Sequence, residues 1–270
     1  MVIAVIQLGV VDYATGLRVQ EELVAARKEN RIPDALLLLE HRPVITLGRN
    51  ARGSNVLFSR DVLEQKGVEL FETDRGGDVT FHGPGQLVGY PILDLHGFPS
   101  SGGSLKYLGA VDYVRRIEEV LIRTSLEYGI PTKRIKGLTG VWTDRADVQG
   151  EGERHPSRDE AKIAAIGVHI SRSVTSHGFA LNVNTDLDYF KLIVPCGITD
   201  KPVTSIAKEL DRAIDLDEMA QCVSRNFGRV FDRQMLAVET VDELLGRTVG
   251  VPNKVPEELK AIHGDTDALA

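Results

Sequence analysis

Cysteine is scarce. The 270 residues hold two, Cys196 and Cys222, too few and too widely separated for a disulfide framework or a CxxC metal site, and suited to a reducing compartment. Long apolar runs are missing too. No stretch approaches the roughly 20 residues that span a bilayer, and the opening MVIAVIQLGVVDY carries no basic leader before Asp12, so a cytoplasmic protein with no membrane association is expected. Basic residues are outnumbered, 32 Lys and Arg against 39 Asp and Glu, for a formal charge of −7. That balance argues against a general nucleic-acid binder, which needs basic surface to neutralise phosphates. The local cluster Lys133, Arg134 and Lys136 reads as a solvated loop on which an acidic partner could dock. There is no internal repeat, and no long exposed apolar helix or heptad seam, so a monomer is expected.

What is present is enough apolar material, 42% of residues, for one large domain or one domain with an appendage. Short apolar runs alternate with helical spacing, which predicts an α+β (mixed α/β) fold with a mixed sheet flanked by helices. Val2 to Leu8 and Ala35 to Leu39 read as strands, and Thr15 to Asn30 as a helix stopped before Pro33. A helix from Ser104 is predicted by Leu105, Leu108, Val111, Val114, Ile117 and Leu121, ending at Gly129 and Pro131. Asp215 with Glu218, and Thr240 with Glu243, are capping-box spacings. The middle of the chain, with Asp78 to Phe81, Leu87 to Leu93, Lys162 to Ile170 and Phe179 to Val183, reads mostly as sheet. Residues 149–160 read as an exposed loop, and 251–270 as a polar tail with a short helix after Pro256.

Four segments carry residue types that folding alone explains poorly. The first is Arg75-Gly76-Gly77-Asp78-Val79-Thr80-Phe81-His82-Gly83-Pro84-Gly85-Gln86, where glycines on both sides of a β-prone stretch permit tight turns and close approach to a ligand. It has neither the Gly-Lys-Ser/Thr ending of a phosphate loop nor a GxGxxG opening a helix. The second is an apolar strand with an ammonium at its start, Lys162 followed by Ile163 to Gly167. In the third, His177 precedes Gly178, Phe179 and Ala180, of which Gly178 and Ala180 are small enough for a ligand chain to lie against the backbone. The fourth holds Cys196 between Pro195 and Gly197, where the chain turns sharply and presents the thiol. Cys222 sits instead among Met219, Val223 and Phe227 on a helix, as a small hydrophobe. A free thiol is only a few per cent ionised near neutrality and needs a partner. Lys162 is one candidate; His82, His169 and His177 are others, and spacing does not choose among them.

In this order the segments resemble the lipoate-biosynthesis octanoyltransferases. The resemblance is carried by Leu39 to Arg49, by the RGGxVTxHGPGQ pattern at 75–86, by Tyr90 to Leu95, by Gly140-Val141-Trp142, by KIAxIG at 162–167, by HGFALNVNTDL at 177–187 and by Pro195-Cys196-Gly197, spanning about Ile3 to Glu209. It implies a catalytic domain like that of biotin and lipoate ligases over 1–232, with 233–270 as a C-terminal helical extension and polar tail. It implies that Cys196 is the acyl-thioester nucleophile and Lys162 the lysine that assists its proton transfers. Arg75 to His82, Ala165 to Gly167 and Gly178 to Ala180 would line the acyl site. The implied donor is octanoyl-acyl carrier protein. The implied acceptors are lipoyl domains of 2-oxoacid dehydrogenase complexes and the glycine cleavage H protein, with no cofactor and no metal. An ATP-dependent lipoate-protein ligase is the alternative. Asp78 fills the variable position of the first signature, and 151–160 reads as an insertion.

Overall fold

The structure, a computed structural model, describes residues 1–100, 107–144 and 160–247. Ten-residue β1 (Val2–Val11) leads into α1 (Tyr13–Lys28), whose first turn is closed by Asp12 accepting from the Thr15 amide at 2.8 Å. Next come β2 (Asp34–His41), β3 (Val44–Leu47), α2 (Arg60–Gln65), β4 (Glu69–Glu72), β5 (Val79–His82) and β6 (Gln86–Ile92). Then follow α3 (Ala110–Glu127), β7 (Thr132–Ile135), β8 (Leu138–Thr143), β9 (Lys162–Ser171) and β10 (Val174–Asn182). The described chain closes with α4 (Ile206–Leu210), α5 (Leu216–Phe231), β11 (Gln234–Ala237) and α6 (Val241–Leu244).

Eight strands form one mixed sheet in the order β11-β1-β2-β6-β10-β9-β8-β7. The pairs around β1 are parallel, and every pair from β2 outward to β7 is antiparallel. A second sheet, β4-β3-β5, is small. The α+β class expected from the sequence is the fold observed. One face of the large sheet packs on α3 and α5 through Tyr113, Ile117, Leu121, Met219, Val223 and Phe227, and the other on α1 through Leu23 and Ala26. Burying each large apolar side chain contributes about 1.5–3 kcal/mol. The small sheet has its own core, in which Phe81 stacks on Tyr189 at 4.7 Å.

Two expectations shift. The long helix begins at Ala110, since Leu108 is held in an extended segment by its amide donating to Phe98 O at 3.0 Å. Its apolar stripe runs through Tyr113, Ile117 and Leu121, which leaves Val111 72% exposed; Ser104 and Leu105 lie outside the described residues. The extension expected from 233 supplies β11, paired with β1, and α6, whose Val241 and Leu244 pack on the α1-side core. Its first part is therefore integral to the sheet. The loop expected at 149–160 lies outside the described residues up to 159, as does the tail 251–270.

Candidate active site

The chain reaches Cys196 through a forced turn. Pro195 opens a single 3-10 turn, Cys196 takes a left-handed backbone (φ 57°) and Gly197 follows at φ 67°. A left-handed non-glycine residue costs about 1–2 kcal/mol, and that strain marks a side chain held in a set direction by its surroundings. Facing it, Lys162 opens β9 and is 7% exposed. Its Nζ lies 3.2 Å from Cys196 Sγ and 5.0 Å from the Trp142 ring centre. No carboxylate pairs with Lys162 among the described residues, so the thiol and the aromatic face are its partners. Gly140 makes room for it: a Cβ there would stand 2.7 Å from Lys162 Cε. Cys222 differs in every respect. It is 2% exposed, and burial together with the Glu127 carboxylate, which accepts from its Sγ, pushes its thiol up to about 11.

The pair stands in the wall of a cleft of about 510 Å³, within the range of small-ligand sites. One wall is the arc from Arg75 to Asp78. Arg75 is buried, and its guanidinium donates to Thr46 O at 2.7 Å and Thr46 Oγ1 at 2.9 Å, with no carboxylate partner among the described residues. Burial lowers its pKa. The arc lies flat on β9, where the Gly76 amide donates to Val168 O at 2.9 Å and a Cβ on Gly167 would meet Gly76 O at 2.7 Å. That amide is thus occupied and is removed as an oxyanion donor.

Of the residues expected to line the site, Arg75, Gly77, Asp78, Thr80, His82, Lys162, Ala165, Ile166, Gly167, Gly178, Phe179, Ala180 and Cys196 do so. Gly76, Val79 and Phe81 do not. Side chains alternate along a strand, so Thr80 and His82 face the cleft while Val79 and Phe81 enter the core of the small sheet. Gly178 lines the cleft with backbone: a Cβ there would fall 2.1 Å from Gly89 O on the neighbouring strand.

Residues 12–228 match the lipoyl protein ligase A/B catalytic domain. The octanoyltransferase of Koribacter versatilis is 55% identical over 263 residues, covering 97% of this chain and 98% of that protein. That of Acidobacterium capsulatum is 54% identical over 247 residues, 91% and 96% of the two. The chain belongs to this octanoyltransferase family. It is an acyltransferase. Among solved structures, a bi-partite lipoate protein ligase from Thermoplasma acidophilum superposes with a TM-score of 0.64 at 16% identity, covering 92% of this chain and 91% of that one. A lipoate-protein ligase A bound with ATP gives 0.63 at 16% identity, with 92% and 93% covered. At these identities the two structures establish the shared fold.

In this family member the cleft is also lined by a cluster of rings that spacing did not reveal. Tyr13 from α1 and Tyr90 from β6 line it beside His82 and His177. His41 donates from Nδ1 to Val11 O at 3.1 Å, so its Nε2 accepts from Tyr90 Oη at 2.7 Å. His82 donates from Nδ1 to Gln86 Oε1 at 2.8 Å, because the Gln86 amide nitrogen is turned to Phe81 O and Asn182 Oδ1. Burial lowers His41 to about 4 and His82 to about 3. Both rings are neutral at physiological pH. His177 bonds Asp74 at 2.7 Å, and His169 bonds Asp74 O at 3.2 Å. None of the three histidines that competed with Lys162 hydrogen-bonds Cys196. The basic cluster at 133–136 is largely neutralised: Lys133 pairs with Asp144 and Glu160, and Arg134 with Glu118 and Glu119. No helix of the described chain is long and apolar enough to cross a membrane.

Proposed function

We propose that the chain transfers octanoyl from acyl carrier protein to the lysine of lipoyl domains through a thioester on Cys196. The observation that carries this reading is the 3.2 Å contact between Lys162 Nζ and Cys196 Sγ in the cleft wall. Support comes also from the full-length relatives named octanoyltransferase. In the first step the Cys196 thiolate attacks the donor's carbonyl carbon. The new C–S bond forms as the old one breaks, and the departing pantetheine sulfur takes a proton from the Lys162 ammonium. In the second step the acceptor lysine's amine attacks the acyl-enzyme and passes its proton to the Lys162 amine. Collapse expels the Cys196 thiolate, which restores the starting pair. Thioester to amide is downhill, so the cycle needs no ATP. Lys162 thus acts as acid and then as base, a double use that requires it within hydrogen-bond reach of the sulfur in both steps. The amides of Gly77 and Cys196 are the remaining candidates for holding the tetrahedral oxygen.

The decisive measurement is intact mass after incubation with octanoyl-acyl carrier protein, without ATP, for the wild type and Cys196→Ala. An octanoyl adduct on the wild type alone, discharged by a lipoyl domain, is expected. Amide product that forms only with ATP and survives Cys196→Ala would replace this reading with that of a lipoate-protein ligase.

A further inference from the structure

Asp78 stands at the variable position of the RGG segment, and its side chain is engaged by protein N–H donors. The carboxylate gathers three N–H donors: its neighbour Val79 N at 2.7 Å, Asn55 Nδ2 at 2.6 Å and Arg52 N at 3.3 Å. It therefore ties the 52–55 turn to the start of β5. Asn55 in turn supports the nucleophile segment, since its carbonyl accepts from Val194 N at 2.8 Å. Leu57 N donates to Leu192 O at 2.9 Å, and Val56 bridges Ile193. Residues 55–57 are thus a template for 192–194, which end two positions before the thiol. The pair also abuts the far side of the turn. A Cβ on Gly197 would lie 2.9 Å from Asp78 Oδ2 and 3.4 Å from Asn55 Nδ2. Cys196 is accordingly flanked on both sides by the Asn55 region, at Val194 through the Asn55 main-chain carbonyl and at Gly197 by close packing against the Asp78–Asn55 side-chain pair that fixes Asn55 in place, while its own backbone is left-handed at φ 57°. A turn with that strain stays put only when its surroundings over-determine it.

We propose that Asp78 and Asn55 form the positioning pair that holds Cys196 within reach of Lys162. The proposal rests on the reading of Cys196 as nucleophile and assigns Asp78 to the thiol's geometry rather than to the acyl chain. The pair has a reciprocal chemistry that makes it testable. Asn55→Asp sets two carboxylates against each other where a 2.6 Å hydrogen bond stood. Adding Asp78→Asn restores a carboxylate–amide contact with the roles reversed, and the new side chain keeps an oxygen for Val79 N and Arg52 N.

The experiment measures single-turnover acylation by octanoyl-acyl carrier protein, iodoacetamide alkylation of Cys196 at pH 7 followed by peptide mass, and melting temperature. Asn55→Asp is expected to slow acylation about a hundredfold, as displacement of a reacting group by an ångström does. KM should stay nearly unchanged and alkylation should slow in parallel. The double variant should recover most of both rates. Independent, additive losses in the double variant, or a fall in melting temperature with both rates intact, would overturn the proposal. Should Asn55→Asp not fold, Asn55→Ser removes the contact without adding charge; unaltered rates there are equally fatal. The alkylation arm reads the thiol alone. A wild type that forms no acyl-enzyme would defeat the thioester reading, and alkylation would still decide whether the pair positions Cys196.

Discussion

At the scale of single residues, the site turns on one ammonium and the space left for it. Lys162 is enclosed by Trp142, Gly140 and Cys196, so shortening or neutralising it removes the proposed proton carrier while leaving the cleft walls in place. Lys162→Met keeps most of the stem's packing. It is expected to lower acyl-enzyme formation and turnover by roughly 10²–10⁴-fold, the usual worth of a positioned acid–base group, and to slow Cys196 alkylation at pH 7. Stopped-flow acylation checks the first and peptide mass the second; a variant within threefold of wild type would remove Lys162 from the chemistry. Gly140→Ala asks the same question through space. Its Cβ would meet Ala164 O at 2.6 Å and Lys162 Cε at 2.7 Å, so it should lower turnover through displacement of the ammonium as well as disturb β8.

Between elements, two contacts hold the cleft walls. Glu118 on α3 is fully buried, accepts from Arg115 at 2.7 Å and Arg134 at 3.1 Å, and takes the Gly140 amide at 3.2 Å. It joins α3 to the β7–β8 hairpin, whose Gly137, Leu138 and Thr139 line the cleft. Glu118→Ala leaves those donors without their acceptor and should cost roughly 2 kcal/mol of stability, as loss of charged hydrogen bonds does. Urea denaturation reads it, and an unchanged midpoint would show that the ions are solvated equally well without it. Gly178 is the second contact. Because its added Cβ points at the Gly89 carbonyl and the Pro91 ring, Gly178→Leu should break the β6–β10 pairing and lower the melting temperature steeply, with a cost of at least about 1–3 kcal/mol. A stable variant that merely accepts shorter acyl chains would place the side chain in the cleft instead.

For the whole molecule, the neutral histidines tie stability to pH. His41 and His82 titrate at about 4 and about 3 in the folded chain against 6.5 ordinarily. Below pH 6.5 the unfolded chain binds protons that the folded chain refuses, so the slope of stability with pH is positive. The contribution is complete above 6.5 and is lost as pH falls toward about 3, on the order of 3–5 kcal/mol per ring at the acid end. Urea midpoints at pH 7 and 4.5 should therefore separate clearly. His82→Gln should narrow the gap, since the amide cannot titrate; an unchanged gap would locate the acid sensitivity in the carboxylates.

The family and the candidate site segments of this protein were legible in residue type and local order. A thiol between Pro195 and Gly197 differs from one on an apolar helix face, and that distinction alone separated Cys196 from Cys222. The strands and helices followed from alternation and 3.6-residue spacing, since burial of one face is a local demand. What the spacing left open was the thiol's partner, because Lys162 and three histidines were all admissible. Only the tertiary fold, in which the Lys162 amide and carbonyl pair with Pro202 and Thr204, set one of them against the sulfur, 34 residues away in sequence. Likewise, alternation says that Val79 and Phe81 share a face opposite Thr80 and His82, but not which face meets the cleft. That was decided when the β4-β3-β5 sheet closed over its own core. The buried Glu118 and the Asp78–Asn55 pair had no local signature, for their partners lie in separate elements and acquire meaning only when packing removes water from between them.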